Sequence, residues 1–271
     1  MAIQPTPIAA DRYEDFVWHH LKDFEGAVPR IYSDQRGVPT MGAGVALAIR
    51  SAAGWVLLPR ERLGAEISGD AAAPYRFTAD EWTLLERVAA LLRAGASEAE
   101  CHRLIPPFVA ARETAACNRF GFSLTESRIR AQALARWPAA RRAVLTDLEA
   151  EARRQGKPAD LTQQFALSRQ EVGMTSVRYN IGSGLRTPRA TAALAAGDRA
   201  ALAFEIAYAT NPESNGPARP GIARRRLAEA RLAAGEPAEW NADERHRFAE
   251  LAGTPRVAAY LAATGSAGLM V

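Results

Sequence analysis

The chain has 271 residues, 48% hydrophobic and 24% charged, a composition that provides a sizeable globular core and leaves room for one large domain or two small ones. The formal net charge is +4, carried almost wholly by arginine because Lys22 and Lys157 are the only lysines; this is too little to call for nucleic acid and mildly favours an anionic surface. No segment reaches the ~20 apolar residues of a membrane span, and the N-terminus lacks the basic and apolar regions of a signal peptide, so synthesis without a leader and no membrane insertion are expected.

In chain order, residues 11–24 predict a helix, with Phe16, Val17, Leu21 and Phe24 at helical spacing and Gly26 as its stop. Residues 28–45 change to short apolar runs cut by Pro29, Gly37, Pro39, Gly42 and Gly44, and the turn at 33–37 predicts a small β-hairpin. A second hairpin is expected from residues 45–49 and 55–58 around the turn at 51–54. From Phe77 onward the pattern is helical. Thr78 with Glu81, and Ser97 with Glu100, fit capping boxes, and Ser123 with Glu126 is expected to open a long helix bent at Pro138 and stopped near Gly156 and Pro158. Further helices are expected at 161–180, 188–196 (Thr187 as cap, Pro188 first), 199–210, 220–234, 242–251 and 254–263, followed by a loose tail at 264–271. The fold class is therefore α+β, predominantly helical.

Cys101 and Cys117 are too few for a metal site; they read as buried free thiols, with a disulfide as the alternative. His19, His20, His102 and His246 show no metal-ligand spacing, and phosphate-loop, dinucleotide and Gly-x-Ser-x-Gly signatures are absent, so neither metal nor cofactor is expected. The chemistry concentrates in residues 21–44. Glu25 stands at the C-terminal end of an apolar helix, beside Phe24. Apolar surroundings and the negative helix end disfavour the charged form, so it is expected to keep its proton toward neutral pH and serve as a general acid. Asp34 follows in a polar turn, where it is expected to stay ionised, and Thr40 lies on the returning strand. Two carboxyl groups with opposed environments are what glycoside hydrolysis uses.

Glu25-Gly26, then Tyr32-x-Asp34-x-x-Gly37, then Thr40-x-Gly42-x-Gly44 resembles the catalytic segment of the phage-type lysozymes, glycoside hydrolase family 24. Eight fixed positions recur by chance on the order of once in ten billion windows. Residues 176–184, with Tyr179, Asn180, Gly182 and Gly184, are similar to a later helix end of that family. Residues 221–229, with Arg225, Arg226 and Glu229, are similar to its C-terminal helix. Taken alone, Arg224, Arg225 and Arg226 read as a solvated helix face, with packing or pairing inside the helical lobe as the alternative.

The resemblance implies a single domain over 1–271 with a two-lobed fold and the cleft between the lobes. Within it lie a catalytic helix and β-patch (11–60), an inserted, mainly helical segment (61–122) and a helical lobe (123–263). Lysozyme-like domains of bacterial toxins, including the pesticin type, carry comparable insertions. Val45 stands where the family often has His, and Ala43 where it often has an aromatic. The implied activity is hydrolysis, with inversion, of the β-1,4 bond between N-acetylmuramic acid and N-acetylglucosamine in peptidoglycan. Glu25 would be the acid, Asp34 the base, and Thr40 the residue helping to hold the water. Tyr32, Gly44 and Asn180 would contact substrate. A lytic transglycosylase and a non-catalytic wall-binding or delivery module are the alternatives. The implied setting is a monomer acting in the periplasm or wall of a target bacterium, as a secreted effector with an immunity protein or as a phage endolysin.

Overall fold

The structure is a computed structural model and describes residues 3–52, 54–158, 160–181, 187–209, 220–255 and 257–258. Helices dominate, with two small antiparallel sheets near the N-terminus. Helix α1 (Ala10–Glu25) leads into strands β1 (Val28–Ser33), β2 (Pro39–Gly42) and β3 (Val45–Ala46), which form one sheet in that order. Tyr32 pairs with Thr40 and Ile31 with Met41, and the register is irregular between Val28 and Ile31. Strands β4 (Ala48–Ser51) and β5 (Gly54–Leu57) form the second hairpin. The expected start of that hairpin at Val45 is corrected: Val45 and Ala46 pair with Met41 and Thr40 instead, as a third strand of the first sheet.

Helices α2 (Arg60–Ser68), α3 (Ala79–Arg93) and α4 (Glu98–Leu104) follow. Thr78 makes the expected reciprocal box with Glu81, whose amide donates to Thr78 Oγ1 at 3.2 Å while its carboxylate accepts from the Thr78 amide at 2.8 Å. At Ser97 the carboxylate of Glu100 accepts from both the amide and the hydroxyl of Ser97. Helix α5 (Glu126–Arg154) is capped by Thr125, not Ser123: the Arg128 amide donates to Thr125 Oγ1 at 3.2 Å. Pro138 lies inside it, and the following turn closes at Gly156.

The expected helix over 161–180 is two pieces, α6 (Leu161–Phe165) and α7 (Arg169–Ile181). The break is at Leu167, whose φ of 54° is left-handed and whose amide donates to the buried Glu171 carboxylate. Helices α8 (Pro188–Ala196), α9 (Arg199–Phe204), α10 (Pro220–Ala234) and α11 (Ala242–Ala252) match expected elements, except that residues 205–209 continue α9 as a π-turn. The tail at 264–271, Gly182 and Gly184, and most of the helix expected at 254–263 lie outside the described residues.

The chain divides into two compact units: residues 18–135, and residues 1–17 with 136–271. The first is contiguous and holds both sheets and α2–α4, with Leu21, Ile31, Met41, Leu47, Leu63, Leu85, Ile105 and Ile129 buried. The second is helical, and its core includes Phe165, Met174, Leu202, Ile206, Leu227, Trp240 and Phe248. The N-terminal segment belongs to this core: Ile3 is buried in it, and residues 6–8 bond residues 167–170 through the backbone and the Gln170 amide oxygen. Among the described residues no helix is long and apolar enough to cross a membrane.

Candidate active site

Glu25 is the last residue of α1, where the Gly26 amide closes the helix on Lys22 O at 3.0 Å. Its side chain is half-buried and lies over Gly44. A Cβ on Gly44 would stand 2.8 Å from Glu25 Oε2, and Gly44 has a φ of +71°. Two independent constraints therefore require glycine there, one steric and one conformational. Gly44, one of the expected substrate contacts, lies beneath the candidate acid.

Asp34 organises the turn between β1 and β2. Its Oδ1 accepts from the amides of Arg36 (2.7 Å) and Val38 (2.8 Å), while its own amide donates to Val38 O (2.9 Å). This Asx turn fixes the plane of the carboxylate through one oxygen. Thr40 lies opposite Tyr32 on the paired strands, so both side chains share one face of the hairpin. Thr40 is only 4% exposed, and its hydroxyl donates to Val38 O at 3.0 Å. With that proton committed, the Thr40 oxygen can act toward a water only as an acceptor.

Tyr32 ties these groups together. Its hydroxyl is held well above the ordinary phenol range, first by burial and then by the negative charges of Glu25 and of Asp34, against a smaller opposing effect of Arg30. One phenol thus lies in the field of both carboxylates. It remains a protonated hydrogen-bond donor at any working pH.

Several supporting residues gave no signal in the sequence. Arg30 is 3% exposed; its guanidinium bonds both Glu113 carboxylate oxygens (2.8 and 2.7 Å) and the carbonyls of Ile31, Pro106 and Pro107 (3.0 Å each). His102 Nε2 lies 3.0 Å from Asp34 O, and Cys101 packs against Gly37, where a Cβ would meet the cysteine Cβ at 2.7 Å. The segment 61–122 therefore builds the back of the hairpin. A lone arginine on a strand and a histidine without metal spacing carry no pattern that pairs them with a segment about 70 residues away.

Asn180 belongs to the helical unit, where it is exposed and its Oδ1 accepts from Arg226 Nη2 at 2.8 Å. The solvated reading of the arginine run holds for Arg224 and is corrected for the other two. Arg225 and Arg226 are 4% and 2% exposed and both pair with the fully buried Glu229, which also accepts from the Ser176 hydroxyl. Burial disfavours the Glu229 charge, yet Arg226 and Arg225 outweigh it and hold the carboxyl below its ordinary range. The cysteines are free, Cys101 buried and Cys117 half-buried, so the disulfide alternative is not realised. Among the described residues no group of three or more His, Cys, Asp or Glu side chains is placed to hold a metal ion.

No family model, no curated protein and no solved structure matches this chain.

Proposed function

We propose that the chain is a muramidase of the phage-lysozyme type, hydrolysing the β-1,4 bond between N-acetylmuramic acid and N-acetylglucosamine in peptidoglycan. The observation that carries this reading is the placement of two carboxylates around one hairpin: Glu25 at the end of α1, against Gly44, and Asp34 anchored in the turn that leads to Thr40. Glu25 protonates the glycosidic oxygen as its bond to the anomeric carbon breaks. Asp34 takes a proton from a water that attacks that carbon from the opposite face, and Thr40 accepts a hydrogen bond from the same water. This order of events inverts the anomeric centre and calls for carboxyl groups about 6.5–9.5 Å apart. The reaction needs neither metal nor cofactor.

Purified peptidoglycan incubated with the protein should yield new reducing ends. Glu25→Gln should lower their release by at least about 100-fold. Equal release from both proteins removes the catalytic assignment. Anhydro-muramyl products in place of reducing ends would assign a transglycosylase, and strand binding without cleavage would assign a wall-binding module. Asp34 and Thr40 favour the hydrolase, because a transglycosylase needs the acid and no water-activating pair. The setting that suits this chemistry is the wall of a target bacterium, reached as a delivered effector or a released endolysin. For the effector, a small inhibitory protein in the producing cell would be required.

A further inference from the structure

Among the described residues only three large hydrophobic side chains are exposed: Ile49 at 47%, Phe108 at 36% and Val109 at 43%. Two of these are consecutive and stand beside the candidate site. The Phe108 ring lies 6.3 Å from the Tyr32 ring, centroid to centroid, at an interplanar angle of 59°. Tyr32 in turn pairs with Thr40 across the candidate hairpin. Phe108, followed in sequence by the exposed Val109, thus presents apolar surface beside Tyr32 of the candidate hairpin.

The segment that presents it is held firmly. Ser33 forms an isolated parallel bridge with Pro107, and its amide donates to Pro106 O at 3.4 Å. Arg30 bonds the carbonyls of Pro106 and Pro107 from one side and the Glu113 carboxylate from the other. Two prolines and the turn at Ala110–Arg112 further limit the backbone. Phe108 thus stays 36% exposed on a backbone fixed from several sides.

We propose that Phe108, with Val109, is a sugar-binding platform that takes the apolar C–H face of one pyranose ring of the glycan strand next to the bond being cut. This rests on the muramidase reading. A protein partner is the competing occupant, but stable protein interfaces bury about 800 Å² on each side. Such an interface draws on about 20–30 residues a side, whereas two exposed apolar side chains suit the face of a single sugar. A preformed platform orders the strand without a further cost in loop ordering.

The test is equilibrium binding of solubilised, uncrosslinked peptidoglycan glycan strands to the catalytically inert Glu25→Gln protein, with and without Phe108→Ala. Phe108→Ala should weaken binding about five- to tenfold, as loss of one ring stack implies, while Phe108→Trp restores it. The thermal midpoint of each variant is recorded alongside, and an unchanged midpoint assigns the loss to the platform. If wild type releases reducing ends and Phe108→Ala binds strands as tightly as its parent, the platform falls and the muramidase reading stands. Cleavage and strand binding both absent from every form sink the two together. Unchanged strand binding, with loss of binding to an inhibitory protein encoded beside this chain, would overturn the sugar assignment.

Discussion

Asp34 has two duties that substitution can separate. Its Oδ1 holds two turn amides, and the proposed chemistry uses its negative charge. Asparagine keeps an acceptor oxygen for the same amides but has no charge and cannot take a proton. Asp34→Asn should therefore leave the thermal midpoint within a few degrees of wild type and lower reducing-end release by at least about 100-fold. Asp34→Ala should lose the activity and also about 1–3 kcal/mol of stability, since two amides lose their acceptor. A reducing-end assay paired with thermal unfolding reads both. Full activity in Asp34→Asn would remove the base assignment. The spacing of Glu25, Asp34 and Thr40 was legible in the sequence because glycines fix the backbone between chemically distinctive residues. Phe108 was not legible, because one aromatic after two prolines looks like any loop until Tyr32 is seen beside it.

At the scale of elements, Arg30 and Glu113 join the strand β1 to the segment 106–113, alongside the bridge of Ser33 with Pro107. The Arg30 guanidinium, chiefly by hydrogen bonding, holds the Glu113 carboxyl below its ordinary range. A depressed carboxyl contributes stability that is fully present above its unfolded pKa, about 4.3, and is lost as pH falls through the lower folded value. Wild type should therefore melt above Glu113→Gln near neutral pH, and the gap should close as pH drops below about 4. A gap that persists at pH 3 would show that the ion pair is not its source.

Helices whose starts carry their own signals, such as α8 with Pro188 at its start and α3 with Thr78 and Glu81 in a capping box, were readable locally. The break at Leu167 was not, because its amide is satisfied by Glu171, a side chain from the next helix that itself depends on Tyr13 and Arg141. The arginine run misled for a related reason: helical spacing shows that Arg225 and Arg226 can reach Glu229, and only the packing of α7 shows that all three are buried.

For the molecule as a whole, the helical unit draws on both ends of the sequence. Removing residues 3–9 should cost it about 3–5 kcal/mol, from the burial of Ile3 and the loss of several backbone bonds. Amide exchange should accelerate at Arg169, which donates to Thr6 O, and stay unchanged at Val38 in the hairpin turn. Protection at Arg169 that survives the deletion would show that the segment does not support this core. The unit containing both candidate carboxylates is a continuous stretch, whereas Thr6 waits for Gln170, 164 residues further on. At about 5–20 residues per second on the ribosome, that wait lasts roughly 8–30 s. Throughout it residues 6–8 lack their partners at 167–170, so the unit bearing the candidate carboxylates has left the ribosome before the helical body can close around its own beginning.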